Sequence, residues 1–260
     1  VPSTWNRLRA SITGLGRDLW GRRGWVVDRG PQIAVLLGLA LVALGVAGFL
    51  AVLDAVGEND DLAALDTPVL EALAAARSEA VTAFLTAVTT VSGPAVLPVV
   101  VVVAALVWGL AGREWWQAGL LAAAMVVSTL VSLTLKAVVA RPRPPVDTMT
   151  VPGAETTYSF PSGHTIGAAT LLLVVAYLAW VRRPRVGALV VWVLVVVLGT
   201  ALVALSRLYL GYHFVTDVVA SSALALAVLG GVVVVDRRRA VLAARATSAQ
   251  TRAEAGPDRG

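Results

Sequence analysis

The sequence predicts an all-α fold: a six-transmembrane-helix bundle with an extracytoplasmic interfacial helix between spans 1 and 2. Three observations predict it. Of 260 residues, 58% are hydrophobic and 14% charged, with a mean hydropathy of +0.81. Soluble domains carry about 25% charged and about 45–50% apolar residues. Long apolar runs recur along the chain, each suited to a hydrocarbon core of about 30 Å. Arginines gather at the ends of those runs, the positive-inside pattern of a multi-pass protein. That placement argues against nucleic-acid binding despite a formal net charge of +5. The chain has no cysteine, which excludes disulfides, thiolate catalysis and cysteine–zinc sites.

The elements follow in order. In residues 1–30, Trp5, Leu8, Ile12, Leu15 and Leu19 recur at three- and four-residue steps among arginines. This predicts a basic amphipathic arm lying on the membrane surface. The first apolar run, Ile33 to Val56, lacks a small-residue cleavage site and reads as a retained span rather than a signal peptide. Asp66, Glu71 and Glu79 interrupt the next apolar pattern, which predicts one or two interfacial helices instead of a span. Ser92-Gly93-Pro94 breaks the chain before the second span, Ala95 to Leu110. The remaining spans are Gln117 to Val139, Ser162 to Val181, Val186 to Leu205 and His213 to Val235. Residues 31–236 thus form the membrane domain. Residues 237–260 are a basic tail whose composition predicts disorder.

Charge orients the bundle. The N-terminus, the 111–115 and 182–185 turns and the C-terminus hold most of the arginines and are assigned to the cytoplasm. The acidic 57–92 segment, 137–161 and 206–213 then lie outside. Only 137–161 breaks the rule, carrying Arg141 and Arg143 on the outer side. A bound anion is a local reason for that exception.

Three polar stretches share this outer end: Lys136 to Pro144, Tyr158 to His164, and Ser206 to Asp217. The chain has twenty arginines but one lysine, Lys136, and both of its histidines, His164 and His213, lie in these stretches. Where basic charge alone is wanted, this chain uses arginine. Lys136 supplies a point charge at a helix end. Arg143 and Arg207 each present a planar fork to phosphate oxygens. Pro142 takes Arg141 out of helical conformation and leaves Arg143 in a loop. Arg141 itself reads as an interfacial charge, Asp147 and Glu155 as loop polar groups, and Tyr209, Tyr212 and Phe214 as an aromatic belt. Ser162 sits as an N-cap and Gly163 permits close backbone approach, so the helix start offers amide N–H groups to an anion. His164, in the opening of that helix, is placed for proton transfer. His213 and Asp217, four apart, share a helix face, and the carboxylate fixes the imidazole tautomer. Cations, a helix N-terminus and two histidines together make a phosphoryl-transfer site.

The pattern Lys-x6-Arg-Pro, Pro-Ser-Gly-His, Ser-Arg-x5-His-x3-Asp resembles the type-2 phosphatidic acid phosphatase superfamily. The matching residues are Lys136, Arg143 and Pro144; Pro161 to His164; and Ser206, Arg207, His213 and Asp217. The resemblance covers roughly residues 33–236. It implies a metal-independent hydrolase with no cofactor. His213 would attack phosphorus and form a phosphohistidine, Asp217 would orient it, and His164 would protonate the leaving group and then activate water. Lys136, Arg143, Ser162, Gly163 and Arg207 would bind the phosphate.

The expectation is therefore a multi-pass cell-membrane enzyme acting on a lipid phosphate or diphosphate in the bilayer. Polyprenyl diphosphate, phosphatidate and phosphatidylglycerophosphate are the candidates. An outward site favours a polyprenyl carrier such as undecaprenyl diphosphate. A lipid phosphotransferase would use the same residues, and a non-enzymatic membrane scaffold would not need the histidines.

Overall fold

The structure, a computed structural model, describes the backbone of residues 4–151 and 155–255. Side chains are described for residues 30, 32–151, 155–247 and 250. No strand occurs among these residues. The chain divides into two compact units: residues 39–232, and residues 1–38 with 233–260.

Among the described residues, eight α-helices carry the fold. They are α1 (Thr4–Glu58), α2 (Asp66–Ala75), α3 (Glu79–Val91), α4 (Leu97–Ala111), α5 (Trp115–Val139), α6 (Gly163–Arg182), α7 (Val186–Tyr209) and α8 (Val215–Ala255). Five contain stretches long and apolar enough to cross a membrane: Gln32–Glu58, Trp115–Val139, Gly163–Arg182, Val186–Tyr209 and Val215–Thr247. The sixth, α4, has 15 residues, about 22 Å at 1.5 Å per residue. Helices α2 and α3 fill the interval predicted to be interfacial.

The structure moves several expected boundaries. Helix α7 continues through Ser206 and Arg207, which the sequence reading left in a loop. Helix α8 starts at Val215, so His213 stands just before it and not on its face. The tail expected to be disordered is helical through Ala255. Its Ala, Arg and Leu residues are good helix formers, and no Gly or Pro interrupts them between residues 232 and 255. The arm at 1–30 is helical from Thr4 and continuous with the first span. Its amphipathic face rests on side chains outside the described residues.

Within residues 39–232, burial separates inner helices from lipid-facing ones. Only 6% of the apolar window of α7 is buried, against 50% for α6. Val190, Val191, Leu194 and Leu198 of α7 point outward, as a lipid-facing surface requires. On the inside, Phe49 and Val52 of α1 pack with Ile166 and Ala169 of α6 and Ala220 and Leu224 of α8. Small residues permit the approach of α1 to α8. A Cβ on Gly45 would lie 2.5 Å from the backbone O of Ala223 and N of Ala227. A second cluster joins Val101 of α4, Leu121 and Met125 of α5, and Val174 and Leu178 of α6.

At one end of the bundle, Arg182 pairs with Glu114 at 2.5 Å, tying the 111–115 and 182–185 turns together. At the other end, the 59–92 segment, the 140–162 connection and the α7–α8 turn lock together. Arg77 donates to the carbonyls of Tyr209 (2.9 Å) and Thr148 (2.7 Å). Tyr209 accepts at its hydroxyl from the Ser78 amide at 2.8 Å. Gly211 turns the chain at φ +78°, where an added Cβ would overlap the Thr148 carbonyl.

Candidate active site

The site is built on helix ends. Along α5, Ser128, Ser132 and Lys136 are buried at four-residue steps, which puts them on one face. Ala140 then takes φ +50° and ends the helix, its amide bonded to the Lys136 carbonyl at 3.0 Å. Lys136 Nζ donates to the carbonyls of Tyr158 and Ser159. The ammonium is thereby held at the wall of a cavity of about 790 Å³ that Leu133, Arg143, Val146, Met149 and Glu155 also line.

Ser162 caps α6 as expected, its Oγ accepting from the Thr165 amide at 3.4 Å and from the Thr165 hydroxyl at 3.1 Å. Its own amide donates to the Asp217 carbonyl at 3.3 Å, and its carbonyl accepts from Ser221 Oγ at 3.0 Å. The Ser162 hydroxyl is therefore engaged in building the helix start. Gly163 and His164 open the helix, and the imidazole faces Gly93, where a Cβ would lie 3.2 Å from His164 Nε2.

Arg143 is the hub. Its Nε donates to the Thr157 carbonyl (2.5 Å), and Nη1 donates to the Tyr212 carbonyl (2.8 Å) and faces His213 Nε2 (3.4 Å). Its Nη2 meets Glu155 Oε2 at 3.0 Å. Arg207, on the last turn of α7, pairs with the other Glu155 oxygen and donates to Thr89 Oγ1 at 2.7 Å. Its guanidinium stacks over the Tyr212 ring at 4.6 Å. Arg207 Nε is buried with no hydrogen-bond partner among the described residues. Two guanidinium groups thus converge on one carboxylate, an arrangement that also suits phosphate.

His213 is fixed from both sides. Nδ1 lies 3.0 Å from Asp217 Oδ2. A guanidinium can only donate, so Nε2 facing Arg143 is the acceptor nitrogen and Nδ1 carries the hydrogen. Asp217 also accepts from the Phe214 amide at 3.0 Å, as a residue in the first turn reaching back to the helix start. Burial, then the positive charges of Arg207, Arg143 and Lys136, holds the His213 pKa well below its ordinary value. The ring is neutral and its Nε2 lone pair faces Arg143 Nη1. Arg207 links the two neighbourhoods: it donates to Thr89 Oγ1 on α3, four residues before the Gly93 that His164 faces, and stacks on Tyr212 beside His213.

All eight predicted site residues, Lys136, Arg143, Ser162, Gly163, His164, Arg207, His213 and Asp217, meet at this end of the bundle. Others were missed. Glu155, read as a loop group, bridges Arg143 and Arg207. Its burial pushes the carboxyl pKa up, but Arg207 and Arg143 outweigh that and bring it below the ordinary value. Tyr209 and Tyr212 are buried and structural, not a belt. Arg141 is not a free interfacial charge, since it pairs with Asp217 at 2.8 Å and Asp66 at 2.7 Å. Its position two residues before Arg143 was the one available signal, because an arginine on the outer side already broke the charge rule.

Fold and site define a multi-pass helical membrane protein with a cation-lined cavity at one end of the bundle and two histidines at helix ends beside it. Residues 117–240 match the model of the PAP2 superfamily. Over 132 residues the chain is 33% identical to phosphatidylglycerophosphatase B of Bacillus subtilis strain 168. That match takes in 50% of this chain and 62% of the relative's length. The fold is similar to the crystal structure of a transmembrane PAP2-type phosphatidylglycerolphosphate phosphatase from Bacillus subtilis. The TM-score is 0.67 at 26% identity, covering 75% of this chain and 96% of that one.

Proposed function

We propose that the protein is a membrane lipid phosphatase that works through a phosphohistidine on His213. The carrying observation is the double restraint on that ring, with Nδ1 on Asp217 and Nε2 turned toward Arg143. In the first step Nε2 bonds to phosphorus as the bond from phosphorus to the lipid oxygen breaks. His164 gives the leaving oxygen its proton. In the second step His164 takes a proton from water, the water oxygen bonds to phosphorus, and the phosphorus–nitrogen bond breaks to release phosphate. Arg143, Arg207, Lys136 and the amides at the start of α6 stabilise the charge on the equatorial oxygens.

A lipid substrate is supported by the cavity, where Leu133, Val146 and Met149 face the same space as Lys136 and Arg143. Both relatives are named for phosphatidylglycerophosphate, which makes it the first substrate to test. Phosphatidate and undecaprenyl diphosphate complete the set. The distribution of arginines supports cytoplasmic termini and an extracytoplasmic site.

Phosphate release by the purified full chain in detergent micelles, measured on these three lipids, tests the reading. At least one is hydrolysed, EDTA leaves the rate unchanged and vanadate inhibits. An acid-labile phosphoenzyme forms from labelled substrate and is lost in His213→Asn. Substantial turnover in His213→Asn would remove His213 as nucleophile.

A further inference from the structure

Asp217 is not held by the histidine alone. Its Oδ1 accepts from Arg141 Nη1 at 2.8 Å, leaving Oδ2 for His213 Nδ1 at 3.0 Å and the Phe214 amide. Arg141 is itself held. Its Nη2 pairs with Asp66 Oδ2 at 2.7 Å, and Nη1 also donates to Thr216 Oγ1 at 2.6 Å. Thr216 closes the ring, its hydroxyl donating to Asp66 Oδ2 at 2.7 Å and its amide to Asp66 Oδ1 at 2.9 Å. The Arg141 guanidinium lies 4.4 Å over the Phe214 ring. Asp66 and Asp217 side chains are 6% and 0% exposed, so neither charge is compensated by water.

We propose that Asp66 and Arg141 are positioning residues for the proposed reaction, aiming Asp217 at His213 through this closed ring. The proposal rests on the reading of His213 as nucleophile. Asp66 opens α2, at the start of a segment that contributes no group to the three polar stretches. Its carboxylate does two things at once. Oδ1 accepts an otherwise unpaired amide in the first turn of α8, and Oδ2 fixes the plane of the Arg141 fork. With that plane fixed, Arg141 can reach only Oδ1 of Asp217, and Oδ2 faces the ring. A carboxylate oxygen that accepts from the imidazole keeps hydrogen on Nδ1. The charged and titratable groups facing Asp217 are Arg141 and Arg143 from the α5–α6 connection, Lys136 from α5, His213, and Asp66 beyond Arg141.

The test uses the purified full chain and dioleoyl phosphatidylglycerophosphate in mixed micelles. Asp66→Asn keeps the amide contact but weakens the hold on Arg141. The expected result is a kcat lower by roughly ten- to hundredfold with KM within about twofold, the scale at which hydrogen-bond partners of metal-bound histidines act. Arg141→Gln removes the cation beside Asp217 and moves the acid limb of kcat/KM to higher pH. Arg141→Lys, which keeps the charge, restores part of the lost kcat and returns the limb toward wild type. His213→Asn runs alongside. If it is inactive while Asp66→Asn and Arg141→Gln match wild type in kcat and pH profile, the positioning role is wrong and the nucleophile stands. If His213→Asn turns over, the nucleophile assignment fails first. Should Asp66→Asn not fold, the pair of Arg141 variants decides: equal losses in both with an unmoved acid limb overturn the proposal.

Discussion

Glu155 sits where two arginines meet: one carboxylate oxygen is 3.0 Å from Arg143 Nη2, and the other is paired with Arg207. Both guanidinium groups are largely buried, and each would otherwise offer its donors to an anion in the pocket. On the proposed function, the carboxylate takes donors that a substrate phosphate would use.

Removing that internal anion frees the two forks. Glu155→Gln is expected to bind orthovanadate about tenfold more tightly than the wild type, read as a lower inhibition constant in the phosphate-release assay. A weaker or unchanged constant would mean that Glu155 preorganises the arginines and does not compete with the ligand.

Glu155 also gives a pH dependence of stability. Its folded pKa lies below the ordinary 4.5, because Arg207 and Arg143 outweigh the effect of burial. Such a group contributes stability that is fully present above the unfolded value and lost as pH falls through the lower folded one. Wild type should lose thermal stability on acidification below about pH 4.5, and Glu155→Gln should lose less over the same interval. Melting followed by circular dichroism in detergent checks this.

His213 works in the other direction. Its pKa is held well below 6.5 by burial and by Arg207, Arg143 and Lys136. The neutral ring therefore persists as pH is lowered through the range in which a free histidine protonates. The acid limb of kcat/KM should lie well below pH 6.5, and no loss between about pH 8 and pH 6.5 should trace to this ring. A limb centred on the ordinary histidine value would contradict the buried setting.

Gly211 places the histidine turn. At φ +78°, with the Thr148 carbonyl against the missing Cβ, alanine is both strained and overlapped. Gly211→Ala should lower stability by about 2 kcal/mol or more, and lower kcat as His213 shifts. A melting temperature equal to wild type would show that the turn relaxes freely.

Gly45 governs a different contact, the approach of α1 to α8. Gly45→Leu must separate the helices, since even a Cβ would lie 2.5 Å from backbone atoms of α8. The expected result is lower thermal stability and lower yield in the membrane. Activity per folded molecule should change less than in the Gly211 variant, because Gly45 packs far along α8 from His213.

The sequence by itself determined the membrane class, the approximate spans and the three motif stretches. Apolar run length and charge placement are local properties, and Pro-Ser-Gly-His names its own helix start. The lysine and histidine placement pointed to the site as well, because single residues of a rare type stand out without any knowledge of contacts. Only the tertiary structure decided what surrounds Asp217. Asp66 and Thr216 are 150 positions apart, and Glu155 and Arg207 are 52 apart. No periodicity links such pairs. In sequence, Asp66 is one of several acids in a polar interval, and Glu155 is a charge in a loop. What singles them out is the cost of burying an unpaired charge. Helix packing brings arginines into a dry interior, and these two carboxylates, with Asp217, come within reach of them.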